Sequence, residues 1–159
     1  MNLNPDRVLV WLTGAVLGPS LGALSQVIYI LLGGTGLPVF AGGKAGFGTL
    51  LGPTGGYLFG FIAASFAIGK LSDLHTQPSA RRIAASFVLG TAIIYGFGIA
   101  QLSQWMNGDI QRTLAVGVLP FIIGDALKIV IATAVAARLR HVLPRTEIRH
   151  RGIDVSDSK

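Results

Sequence analysis

Long uncharged stretches set the pattern of the chain. No Asp, Glu, Lys or Arg occurs from Val8 to Gly43, from Ala45 to Gly69 or from Ile83 to Gly108, runs of 36, 25 and 26 residues. About 20 apolar residues suffice for a helix to cross a bilayer, so each run is long enough for a membrane helix. The pattern therefore predicts a polytopic α-helical membrane protein. Within the first run, Gly18-Pro19-Ser20 interrupts the apolar stretch Val8 to Gly34. Proline lacks a backbone donor and biases the preceding residue away from helix. The stretch is one kinked helix or a tight helical hairpin. Hairpin arms of about 11 to 14 residues would reach roughly 17 to 21 Å, short of a full crossing, which slightly favours the kinked helix.

Further along, Gly33 to Gly48 is crowded with helix breakers yet too apolar for an ordinary solvated loop. Irregular backbone at membrane depth survives only when buried in protein or lining a cavity, so this segment either covers a pocket or is an external connector. A helix is expected over Leu51–Leu71, then a short polar loop over Ser72–Arg82. A third span covers Ile83–Trp105, closed by a turn at Asn107-Gly108-Asp109. A last span is expected from Thr113 to about Arg140.

Composition supports this reading. Only 13% of residues are charged and the mean hydropathy is +0.62, against roughly 25% charged in soluble domains. The net charge of +6 does not make a nucleic-acid face, because Arg138, Arg140, Arg145, Arg149 and Arg151 cluster just after the last apolar run. Such a cluster marks a cytoplasmic flank, as do Lys70, Arg81 and Arg82 between the second and third spans. The C-terminus is thus expected inside the cell. An integral membrane domain over residues 1–143 is followed by a basic tail over 144–159, expected to be disordered. With no cysteine, thiol chemistry is excluded. His75, His141 and His150 are too scattered for a metal site.

The most informative chemistry lies in Gly124-Asp125-Ala126-Leu127-Lys128, within the last apolar span. Asp125 and Lys128 are three apart and share a helix face. An ionisable residue at a helix centre costs roughly 2.5 to 3.5 kcal/mol on insertion scales, so two of them must face a polar cavity or each other. Lys44 is the only charge in the glycine-rich loop, either above a pocket or solvated. Tyr57, Tyr95, Phe40 and Trp11 are candidate cavity walls or packing residues. Gly14, Gly18 and Gly22, and then Gly48, Gly52, Gly56 and Gly60, recur at intervals of four and suit close helix packing. The sequence contains no P-loop, nucleophile elbow, zinc-protease or dinucleotide fingerprint, which disfavours an enzyme and leaves any energy for transport to an ion gradient or a separate subunit.

Four segments in order, Leu17-Gly18-Pro19-Ser20-Leu21-Gly22-Ala23-Leu24-Ser25, Leu37-Pro38-Val39-Phe40-Ala41-Gly42-Gly43, Leu51-Gly52-Pro53-Thr54-Gly55-Gly56-Tyr57 and Leu119-Pro120-Phe121-Ile122-Ile123-Gly124-Asp125-Ala126-Leu127-Lys128, closely resemble the BioY family. Its members are biotin-binding substrate-specificity subunits of energy-coupling factor transporters. The resemblance implies an all-α bundle in the bacterial plasma membrane that captures biotin and needs no cofactor. It further implies a transmembrane coupling subunit and two ATP-hydrolysing subunits as partners. Asp125 and Lys128 inherit contacts to the vitamin, and Phe40, Gly43, Lys44, Thr54, Gly55, Gly56 and Tyr57 would shape or line the pocket. With biotin as the implied ligand, Asp125 would accept from ureido N–H groups or hold Lys128, while Lys128 or Lys44 would meet an acceptor oxygen or the carboxylate.

The sequence also departs from the family pattern. A T-L-Q-T-like segment of relatives falls on Asn4-Pro5-Asp6-Arg7, and the first of six family helices has no counterpart, leaving five and an external N-terminus. By the same resemblance Gly18-Pro19 joins two helices, reversing the preference for one kinked helix. The same residues leave open a subunit for another vitamin, and a scaffold or degenerate paralogue in which Asp125 and Lys128 are a structural pair.

Overall fold

Gly18 breaks the first apolar stretch into two antiparallel helices. In the computed structural model, which describes residues 6–73 and 79–142, these are α1 (Asp6–Leu17) and α2 (Pro19–Gly34). Gly18 adopts a φ of 86°, a conformation other residues resist, and Pro19 begins α2 where a missing N–H costs nothing. The chain folds back on itself: the Gln26 Nε2 group donates to Thr13 Oγ1 at 2.9 Å, and Gly22 lies against Gly14. A kinked single helix would hold residues 13 and 26 nearly 20 Å apart at 1.5 Å per residue. The length argument for one helix fails because a hairpin arm packed inside a bundle has no need to span the bilayer by itself.

The following elements are a 3₁₀ turn (Ala41–Gly43), α3 (Phe47–Leu51), α4 (Gly55–Asp73), α5 (Ala80–Trp105), α6 (Ile110–Gly117) and α7 (Leu119–Val142). Among the described residues there are no strands beyond one isolated bridge, between Phe40 and Lys44. The helix expected from Leu51 starts at Gly55 instead. Gly52 is extended and Pro53 cannot donate to a preceding turn, so Leu51 ends the short α3. The last span is also corrected. Asp109 caps α6 by accepting from the Arg112 N–H, and the chain breaks at Val118, so that α7 begins at Leu119. Asp125 therefore sits two turns inside α7, near its start, rather than at mid-span. Asn107 and Gly108, both with positive φ, make the expected turn after α5.

Packing is centred on α4, which touches α1, α2, α3 and α5, while α7 lies against α1 and α5. The spans in α4, α5 and α7 are long and apolar enough to cross a membrane. Only 17% of the span in α7 is buried, so this helix sits at the rim with its outer face left to lipid. One apolar cluster gathers Val10, Ile30, Phe40, Leu58, Phe61 and Ile94; a second gathers Trp11, Ile68, Ile83, Phe87 and Ala132. Trp11 stacks on Phe87 in the second cluster and is core rather than cavity wall. The apex of the hairpin packs against Gly69, where any side chain would collide with Gly18 and Pro19. That end of the bundle also carries Lys70, Arg81 and Arg82. The start of α1, the loop 35–54 and the α5–α6 turn lie at the opposite end. The basic tail expected from residue 144 lies outside the described residues, as do His75 and His150.

Candidate functional site

The loop after α2 folds over this second end rather than running free. Gly46 N–H donates to the Gly33 carbonyl at 2.7 Å, and Phe40 N–H donates to the Lys44 carbonyl at 3.0 Å. These bonds turn Phe40 inward. Its ring lies over Gly33, where no side chain fits, and meets Tyr29 edge-on with centroids 5.6 Å apart. Lys44 stays exposed at the rim.

Beneath the loop is a cavity of about 380 Å³. Its walls come from segments far apart in the chain: the start of α1 with Asp6 and Arg7, the loop with Phe40 and Lys44, Pro53 and Thr54 before α4, Tyr57, Leu58 and Phe61 on α4, and residues of α5, α6 and α7 including Phe121. Mostly apolar walls with a few placed polar groups are the usual form of a small-molecule site. Tyr57 owes its position to small neighbours. Gly98 on α5 leaves the space its ring fills, and its hydroxyl donates to the Gly117 carbonyl at 2.9 Å.

Four of the residues marked in the sequence, Phe40, Lys44, Thr54 and Tyr57, line the cavity. Gly55 and Gly56 are buried behind it, against the carbonyls of Leu50 and Phe97, and let α4 approach α3 and α5 closely. Gln101 secures this corner by donating to the carbonyls of Leu50 (3.1 Å) and Gly52 (2.6 Å). Gly43 is exposed in the 3₁₀ turn beside Lys44. Asp125 and Lys128 do pair, Lys128 Nζ standing 3.7 Å from Asp125 Oδ1, but they stand behind the wall rather than on it.

The group in front of them is Arg7. Its Nη1 donates to Asp125 Oδ2 and to the Tyr95 hydroxyl (2.9 Å), and Tyr95 in turn donates to Asp125 Oδ2 at 2.7 Å. Both charged side chains are deeply buried, 7% exposed for Arg7 and 4% for Asp125. The guanidinium is bordered by the rings of Tyr95, Phe121 and Tyr57, with centroids at 4.7, 5.3 and 5.8 Å, within cation–π range. In the sequence Arg7 stands out only as part of the segment that falls on the relatives' T-L-Q-T-like stretch, with no role of its own. A usable signal existed: a hairpin arm too short to cross the bilayer must leave its first turn inside the bundle, so charges there need partners.

Residues 6–145 match the profile of the BioY family. The chain is 44% identical over 131 residues to the biotin transporter BioY of Thermotoga maritima, covering 82% of this chain and 76% of that protein. It is 39% identical over 144 residues to the probable biotin transporter BioY of Methanothermobacter thermautotrophicus, covering 84% and 88%. Among solved structures it resembles the S-component for biotin from an ECF-type ABC transporter. The TM-score is 0.78 at 29% identity, over 86% of this chain and 74% of that one.

Proposed function

The chain belongs to the BioY family, and on that premise we propose that it is the membrane subunit that captures biotin for uptake by an energy-coupling factor transporter. The observation that carries this reading is the polarity of the cavity. A bicyclic ring with a ureido group, an apolar valeryl chain and a terminal carboxylate needs apolar walls, polar groups at one end and a cation at the other. Here Phe40, Tyr57, Phe61 and Phe121 supply the walls, the Arg7–Asp125–Lys128 cluster lies at the inner end and exposed Lys44 at the rim. Thr54 adds a hydroxyl at the rim, and Gly43, Gly55 and Gly56 shape the backbone around it. Lys44 takes the carboxylate, because an exposed lysine pairs with it without removing either charge from water.

The activity is binding, with ATP hydrolysis left to two separate subunits coupled through a transmembrane partner. The end bearing Lys70, Arg81, Arg82 and Arg138 is the cytoplasmic one by the positive-inside rule, so the cavity opens to the outer face and the C-terminus lies on the cytoplasmic side of the cell membrane.

The test is calorimetry on the detergent-purified protein with biotin, thiamine and riboflavin, beside a thermal melt. A binder at 100 times its dissociation constant gains about 2.7 kcal/mol of stability. Biotin-selective binding with a raised melting temperature is expected. A folded protein that ignores biotin refutes the proposal and leaves the scaffold reading, and preference for another vitamin redirects it within the class.

A further inference from the structure

We infer that Arg7 determines which head group the cavity accepts: it reads the carbonyl oxygen of a neutral cyclic urea, while Asp125 acts as a positioning residue behind it. The inference rests on the proposed biotin reading and adds a contact that the sequence motifs do not contain.

Three observations carry it. First, Arg7 lines the cavity while Asp125 and Lys128 do not, so a ligand at the inner end meets the guanidinium before it meets the carboxylate. Second, the hydrogen bonds Arg7 makes to described residues all leave from Nη1. A guanidinium carries five N–H donors in a planar fork, so the Nη2 and Nε edge keeps donors for an acceptor on the ligand. Tyr95, Phe121 and Tyr57 hold the plane of the fork, which fixes the direction in which that edge points.

Third, among the described residues the charges at the inner end balance. Asp6 lines the cavity beside Arg7, and Asp6 and Asp125 together offset Arg7 and Lys128. A carboxylate entering here would be an uncompensated buried charge, which is strongly unfavourable. A urea carbonyl brings an acceptor and no net charge. The same balance sends the ligand's carboxylate outward to Lys44. Asp125 is already engaged by Arg7, Tyr95 and Lys128, so its work is to aim the fork.

The experiment compares wild type with Arg7→Lys, the variant that keeps the ion pair to Asp125 and the fold but removes the second donor edge. Binding of biotin, 2-iminobiotin and biotin methyl ester is measured by calorimetry at neutral pH, with a thermal melt as the check on folding. In 2-iminobiotin the carbonyl oxygen is replaced by an imine that is protonated at neutral pH, so it presents a cation to Arg7. Wild type should prefer biotin to 2-iminobiotin at least 100-fold and lose less on esterification than on this swap. Arg7→Lys should bind biotin at least tenfold more weakly at an unchanged melting temperature and discriminate less between biotin and 2-iminobiotin.

Unchanged or tighter biotin binding by Arg7→Lys overturns the inference and leaves the biotin reading standing. A larger loss from the ester than from 2-iminobiotin in wild type also overturns it, because the carboxylate would then be the group on Arg7. If wild type binds no biotin at all, the underlying reading has failed and this inference falls with it. The ligand comparison in wild type requires no variant, so misfolding of Arg7→Lys does not remove the test.

Discussion

Replacing Asp125 by asparagine removes the negative charge that lies between two cations. In the native cluster Asp125 Oδ2 receives Arg7 and Tyr95, and Oδ1 faces Lys128 at 3.7 Å. The Arg7 side chain is only 7% exposed, so water cannot take over as its partner. Breaking a buried ion pair by removing one member costs about 3 to 5 kcal/mol, because the survivor remains charged and unpaired. For a chain of this size each kcal/mol lowers the melting temperature by about 2 to 4 °C, so Asp125→Asn should melt about 6 to 20 °C below wild type. It should also bind biotin far more weakly, since the Arg7 fork loses its anchor. The decisive assay is a double-mutant cycle with Arg7→Gln, followed by thermal melts in detergent. Asp125→Asn takes the carboxylate away from Arg7 and Arg7→Gln leaves Asp125 to Lys128 and Tyr95, whereas the double variant removes both members of the Arg7–Asp125 pair, so it should be more stable than the sum of the two losses by at least about 1 kcal/mol, within the range of directly contacting pairs. Additive losses would refute the claim that this pair joins α1 to α7. So would an Asp125→Asn protein that melts like wild type.

Other substitutions test other parts of the argument. Gly98→Ala would drive a methyl group into the Tyr57 ring and should weaken biotin binding about tenfold by calorimetry, whereas Gly96→Ala on the same helix, with open space around it, should bind as wild type does; equal effects at the two positions would sink the assignment of Tyr57 to the wall. Lys44→Gln should leave the melting temperature unchanged, since the side chain is exposed, yet lower biotin affinity and flatten its dependence on salt over 0.01 to about 0.15 M, where screening lengths shrink from about 30 to 8 Å. Thr13→Val deprives Gln26 of its acceptor across the hairpin and should cost about 0.6 kcal/mol, the average for hydrogen bonds between membrane helices, and no more than about 1.7; a melt indistinguishable from wild type would show that the hairpin is held by glycine packing alone.

Much of the architecture was legible because the bilayer constrains sequence so strongly. A backbone inside hydrocarbon must satisfy its own hydrogen bonds, so uncharged runs of 25 residues and more could only be helices. The Gly18-Pro19 break and the Asn107-Gly108-Asp109 turn were visible as local backbone chemistry. Asp125 and Lys128 were likewise readable, since a spacing of three fixes proximity on a helix whatever the fold. At Val118-Leu119-Pro120 continuous apolarity masks a helix boundary that proline marks.

By itself the sequence determined a helical membrane protein, the order of its spans, the charged pair in the last of them and, through its motifs, its family. Which helices touch, and therefore what the charged pair faces, was decided only by tertiary structure. Arg7 reaches Asp125 across 118 positions of sequence, and no periodicity encodes that meeting. Tyr57 finds its place through Gly98 and Gly117, on two other helices. Helix propensity and hydrophobicity act over a few residues, whereas a cavity is a space that several distant segments leave unfilled. Its lining follows from how α1, α4, α5, α6 and α7 pack, so the sequence could show that a charge at Arg7 needs a partner but not that Arg7 lines the cavity in front of Asp125.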